Sequence, residues 1–225
     1  MDAIRIDLRA YTASFRIPGM MGYQATAMVP PPATVYGIVA AANGREVSPA
    51  ETWIAYRFSY EARCQDLEKI IAFREGGPYW DRKLNAVNTV PIIREFLYEP
   101  HLVLYLKPGK CSEAFLRPRY PLLLGRSQDV AYVERFEPTQ LDRVVVAHVR
   151  GVLVPFPIHG VRSRILGLPT YLDMATRKPL AVKPFHVLDP ADPPQKAPDA
   201  NLFYRDRNDQ TGLAVPVLDE RILMP

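Results

Sequence analysis

Four histidines, two cysteines and scattered carboxylates are the groups in this chain that acid–base, nucleophilic or metal chemistry would need. His101, His148, His159 and His186 stand far apart, and no GxSxG, HExxH, P-loop or dinucleotide fingerprint occurs. Cys64 and Cys111 make no CxxC and no metal spacing with a histidine, so neither a zinc site nor a disulfide framework is expected. No cofactor is implied. His148, inside the apolar run VVVAHVRGVLV, reads as a structural residue. Nothing in these residues marks an enzyme.

Binding chemistry is better represented, in three places. Residues 76–94, GGPYWDRKLNAVNTVPIIR, set Tyr79 and Trp80 among Arg82, Lys83 and Arg94, with the amides of Asn85 and Asn88. Aromatic faces stack unpaired bases while cations neutralise phosphates, the combination that holds single-stranded RNA. A loop whose aromatics pack on the body would have the same composition. The second cluster, RPRYPLLLGRSQ, places Arg117, Arg119 and Arg126 around a turn at Gly125. Glycine lets a backbone approach a phosphate, and Ser127 and Gln128 can donate to it. An ordinary strand-end turn is the alternative.

The third place is residues 10–44, where Arg16 is the sole charged group in a chain that is 23% charged. A charge-poor loop that still holds Tyr23, Gln24 and Thr26 suits close contact with a large polar ligand. Arg16 has no acid nearby in sequence, and an unpaired, partly buried guanidinium favours an anionic partner. Arg126 is expected to fork across two phosphate oxygens. Pairing of either arginine with a carboxylate brought near by folding stands as the alternative. Met20, Met21, Tyr23 and Met28 form an adaptable apolar set, expected to lie partly in a protein interface.

The elements that must position these groups read as mostly β. Ile4, Ile6 and Leu8 alternate with Arg5, Asp7 and Arg9, the period of a half-buried strand. Thr34 is the expected N-cap of a short helix that shows Val35, Ile38, Val39 and Ala42 on one face and stops at Asn43-Gly44. Ser48-Pro49-Ala50-Glu51 has capping-box spacing for a single turn. Residues 56–62 alternate as a strand with 67–73 as its hairpin partner. Further strands are expected over 102–107, 130–136 and, as the longest run, 144–154. A strand, a helix and then several strands indicate an α+β sheet domain with a β-rich continuation.

Composition bounds the class. At 225 residues and 48% hydrophobic, the chain can bury one sizeable core. Its 23 prolines favour loops and edge strands over long helices. No apolar run approaches the ~20 residues that span a bilayer, and no signal-peptide core is present, so a cytoplasmic protein is expected. Net charge is only +4, but residues 143–183 hold Arg143, Arg150, Arg162, Arg164, Arg177, Lys178 and Lys183 against Asp173 alone. A polyanion would use such a footprint, and a solvated basic face would look the same.

Four blocks in order carry a family resemblance. Ala13-Ser14-Phe15-Arg16-x-Pro18 is followed by Tyr23-Gln24, then Pro31-Pro32-x-Thr34-Val35-x-Gly37, then Pro118-Arg119-Tyr120-Pro121-Leu122-x-Leu124-Gly125-Arg126-Ser127. This order resembles the CRISPR-associated Cas five family, nearest its type I-B or I-A branch, over residues 4–44 and 112–136. The resemblance implies a ferredoxin-like, RNA-recognition-type (RAMP) domain over residues 1–140, with a loop insertion near 75–94. A β-rich basic extension would occupy residues 141–225. It also implies a non-catalytic subunit of a type I Cascade complex that grips the 5′ handle of the crRNA. Partners would be the large subunit that reads the PAM, the first backbone subunit and, through the complex, target DNA. Ser14, Phe15, Arg16, Tyr23, Gln24 and Thr34 fall in its first motifs, and Arg119, Gly125, Arg126 and Ser127 in its last. One branch of the family cleaves the repeat RNA without metal, using Tyr, Lys and His. Here no lysine adjoins a histidine, so cleavage is the alternative reading and RNA holding the leading one.

Overall fold

A computed structural model describes residues 1–17, 23–69, 91–173, 175–176, 178–198 and 201–225, and the backbone alone of 71–72, 80–81 and 86–88. In chain order, β1 (Asp2–Ala10), β2 (Thr12–Ala13) and β3 (Tyr23–Gln24) precede helix α1 (Pro32–Asn43). Then come β4 (Ile54–Ser59), β5 (Ala62–Glu68), and the short β6 (Ile71–Ala72), β7 (Trp80–Asp81) and β8 (Ala86–Asn88). After β9 (Ile92–Tyr98) and β10 (His101–Leu106), α2 (Lys110–Glu113) leads to β11 (Leu122–Leu123) and β12 (Val130–Arg143). The rest is β13 (Val146–Val149), β14 (Leu153–Pro155), β15 (Arg164–Leu172), β16 (Pro179–Val187) and β17 (Gln195–Pro198). Strands β18 (Phe203–Asp206) and β19 (Ala214–Leu218) and the turn of helix α3 (Glu220–Leu223) complete the chain.

Six strands close on themselves. Neighbours run β1-β10-β4-β19-β18-β12, and β12 pairs back onto β1, with β11 added beside β12. Closure leaves these six without an open edge. The fourteen-residue β12 makes it possible: Ala131–Gln140 lie against β1, while Leu141–Arg143 lie against β18. A boundary drawn near residue 140 therefore falls inside one strand. Outside the barrel, β5 pairs with β9, and β14, β16 and β15 form a separate three-stranded sheet.

Both faces of the barrel wall are buried. Ile6, Leu8, Leu102, Leu104 and Tyr56 pack against Val35, Ile38 and Val39 of α1. On the other face Ala3, Ala55, Val103, Tyr105, Leu141 and Phe203 form a second core. The half-buried β1 expected from its alternation is thus corrected: Arg5 and Asp7 are only 6% and 2% exposed. They tolerate burial because Arg5 Nε donates to Asp7 at 2.9 Å and Arg5 Nη1 to Asp206 at 3.3 Å. The Tyr105 hydroxyl (3.1 Å) and the Thr139 hydroxyl also donate to Asp206.

Several local expectations shift. Helix α1 starts at Pro32 behind Pro31, and Thr34 sits in its first turn without capping it. Proline's fixed φ already suits that start, so no side-chain cap is needed there. Gly44 ends the helix, as its sequence signal indicated. Ser48 and Glu51 make one turn, with Ser48 N donating to Glu51 Oε1 at 3.1 Å. The strand expected over 56–62 ends at Ser59, and β5 pairs with β9 rather than with β4. The run 144–154 breaks at Gly151 into β13 and β14, and His148, read as a structural residue, is exposed. Among the described residues no helix is long and apolar enough to cross a membrane.

Candidate nucleic-acid interface

The charge-poor block, the start of α1 and the Gly-Arg-Ser turn converge on one groove of about 530 Å³. Its walls include Arg16, Thr34, Gly37, Ile38, Gly125 and Arg126, with Pro169 and Leu172 reaching in from β15. Arg94 completes a set of three arginines, and among the described residues no acidic one lines the space. Gly37 is exposed on α1, and a Cβ there would meet nothing within 4 Å beyond the helix's own backbone. The helix thus presents bare backbone to the groove.

A buried carboxylate holds one rim. Glu95 on β9 is 1% exposed and accepts from Arg63 Nε at 3.0 Å, Thr26 N at 3.2 Å and the Tyr23 hydroxyl. Burial pushes its pKa up, but these donors outweigh burial and leave it below the usual carboxylate range. Hydrogen bonding to Glu95 in turn raises the Tyr23 phenol. Thr26 Oγ1 accepts from Phe15 N at 2.8 Å, and Ala27 N donates to the Phe15 carbonyl at 2.8 Å. The segment Ser14–Arg16, just after β2, is therefore anchored from below.

These contacts give structural roles to several of the expected site residues, and Ser14 and Phe15 line the groove as well. Phe15 is a core residue, edge-on to Phe58 with centroids 5.4 Å apart. The Ser14 hydroxyl donates to the Glu95 carbonyl at 2.9 Å, and the buried Gln24 amide donates to the Ile17 carbonyl at 3.0 Å. Met28 is buried, with its sulfur accepting from the Tyr60 hydroxyl at 3.3 Å, so it offers no surface to a partner. Arg16, expected to be partly buried, is exposed and has no ionic partner among the described residues.

Arg126 takes the alternative that folding supplies. Its Nε and Nη2 donate to Asp129 at 3.0 and 2.9 Å, its backbone N to the same carboxylate at 2.9 Å, and its guanidinium lies 5.6 Å from the Phe96 ring centre. Asp129 also accepts from the Thr12 hydroxyl at 2.6 Å. The fork expected for phosphate is spent on this turn. Gly125, at φ 116°, serves a close backbone approach: a Cβ there would lie 2.0 Å from the Ser14 carbonyl oxygen. Ser14 N donates to the Leu124 carbonyl at 3.2 Å, which ties the two motifs together.

Arg117, Arg119 and Ser127 are exposed, and the stem of Arg119 lies over Gly44. Arg94 ion-pairs with Glu68. Met20, Met21, Tyr79, Arg82 and Lys83 lie outside the described residues, as does the side chain of Trp80. Sequence reasoning missed Gly37, Glu95, Arg63 and Asp129. Asp129 was legible as the acid three residues after Arg126, whereas Glu95 becomes part of the site only through pairing of β9.

Among the described residues, Asp7, His101 and Glu134 are close enough to share a cation. Arg5 and Arg135 already face Asp7, and Arg9 pairs with Glu134 at 3.1 Å, so this cluster is neutralised from within. His186 is buried beside Phe156, which lowers its pKa, and contacts the Ser163 hydroxyl at 2.9 Å.

No family model and no curated protein matches the chain. Solved structures do resemble it. A chain of a "CRISPR RNA-guided surveillance complex" aligns with TM-score 0.52 and 18% identity, covering 86% of this chain and 91% of its own. A chain of the Type III-B Cmr-beta structure bound to cognate target RNA and AMPPnP aligns with TM-score 0.55 and 9% identity, over 87% and 86%. A Cmr-beta structure bound to cognate target RNA gives 0.51 and 9%, over 89% and 87%. At these identities the likeness is one of fold. The chain thus has the strand-rich, barrel-containing fold of chains from CRISPR RNA-guided complexes.

Proposed function

We propose that the chain is a non-catalytic RNA-binding subunit of a CRISPR effector ribonucleoprotein, holding the 5′ handle of the crRNA in the groove. The observation that carries this is the convergence of three separated sequence blocks on one groove that, among the described residues, has no acidic lining and is rimmed by an arginine without an ionic partner, Arg16. A polyanion suits that charge, and the apolar wall of Gly37, Pro169 and Leu172 suits a base. The fold likeness supports a subunit of a CRISPR complex; the order of the sequence motifs is what favours the Cas five family and a type I complex, with target DNA and the large and backbone subunits as further partners. The strand order β12-β1-β10-β4, with α1 after β1 and α2 after β10, supports a ferredoxin-like core within the barrel.

The test is fluorescence anisotropy with labelled repeat-handle RNA in EDTA. Arg16→Ala should cost about 1.5–3 kcal/mol of affinity, the range for hydrogen bonds to charged groups, with Lys rescuing only partly. Gly37→Leu should abolish binding by filling the groove while thermal stability holds, since leucine is the better helix former. Equal affinity for wild type and both variants would overturn the reading. RNA cleaved in EDTA would favour the endoribonuclease alternative.

A further inference from the structure

We infer a second RNA subsite beside the groove, a stacking platform built from Tyr120 and Tyr132; this rests on the RNA-binding reading of the groove. Tyr120 and Tyr132 are 56% and 58% exposed, with Leu116 between the same walls at 66%. They border a concavity of about 500 Å³ beside Arg119, on the strand-edge side of β11. Pro121 lines both this concavity and the groove, so one ligand can pass over it from the first to the second.

Three features select single-stranded nucleic acid as the occupant. Among the described residues no acidic one lines the concavity. Arg119 there, and Arg117 two residues before it, are exposed and lack an ionic partner among the described residues. The exposed aromatics are tyrosines, whose faces stack bases of any sequence while flanking arginines neutralise the backbone. The groove would hold one end of the RNA, and the tyrosines would take the nucleotides that leave it across Pro121.

Two RNAs test this with purified protein: a short one sized to the groove, and the same one extended by several nucleotides at its 5′ or its 3′ end. Wild type should bind one of the extended RNAs more tightly than the short one. Tyr120→Ala and Tyr132→Ala should each weaken that extended RNA roughly tenfold and leave the short RNA unchanged. Tyr→Phe at either position should keep the affinity. Replacing Arg117 and Arg119 with Ala should flatten the salt dependence by about 0.7 for each lost contact. If neither extension tightens wild-type binding, or the Tyr→Ala variants bind the extended RNA unchanged, the inference is overturned while the groove reading stands; the face then suits a protein partner. If wild type binds neither RNA, the groove reading fails and the inference falls with it.

Discussion

Two residues show how narrowly the interior is specified. Gly125 combines a left-handed φ of 116° with the closest backbone approach at the groove, 2.0 Å from a hypothetical Cβ to the Ser14 carbonyl oxygen. Any side chain must both strain the backbone and separate the two motifs. Gly125→Ala should therefore destabilise by at least about 3 kcal/mol in urea denaturation, with RNA affinity falling as the rim moves. Asp7 speaks to pH. Burial pushes its carboxyl up, yet the His101 ring 3.6 Å away and the hydrogen bonds from Arg5 bring it down from 3.8 to about 2. A depressed carboxylate contributes stability above its unfolded pKa and loses it as pH falls through the folded one. Thermal unfolding followed between pH 5 and pH 2 should show about 2 kcal/mol lost mostly below pH 4, and Asp7→Asn should flatten that slope.

At the scale of elements, the turn between β11 and β12 is held by one carboxylate. Asp129 takes the Arg126 guanidinium and backbone and the Thr12 hydroxyl, and its side chain is fully buried. Asp129→Ala leaves a cation and a hydroxyl unpaired next to the core, so a loss of about 3 kcal/mol is expected in chemical denaturation. Arg126→Ala should cost a similar amount by stranding Asp129. An Arg126→Ala protein of wild-type stability would show that the guanidinium is free for a ligand instead. Helix α1 plays the complementary part: Val35, Ile38 and Val39 face the core, while Gly37 leaves the outer side open.

At the scale of the molecule, the barrel depends on its last strands. β18 and β19 sit between β12 and β4, and Phe203, Val215 and Leu218 are buried. A chain ending at Asn201 would expose the edges of β4 and β12 and uncover the second core. It should lose its cooperative thermal transition and aggregate, whereas removing only Met224 and Pro225 should not. A sharp transition in the shorter chain would mean that the first 201 residues fold alone.

Patterns within a few residues of one another were enough to determine the local structure: the strand at Ile4–Leu8, the Gly44 helix stop, the Ser48–Glu51 turn and the motif blocks that line the groove. Period and cap chemistry act over one or two turns, so a linear reading captures them. What only the tertiary structure decided depends on contacts between residues far apart in the chain. Whether Arg5 and Asp7 face water or a second core follows from β18 and β19, some two hundred residues later. That Phe15 and Met28 are core while Arg16 is open follows from packing against Phe58 and Tyr60. Whether an arginine is free or paired depends on where the fold delivers a carboxylate. Charge and periodicity cannot encode that distance, and here it separates Arg126 from Arg16.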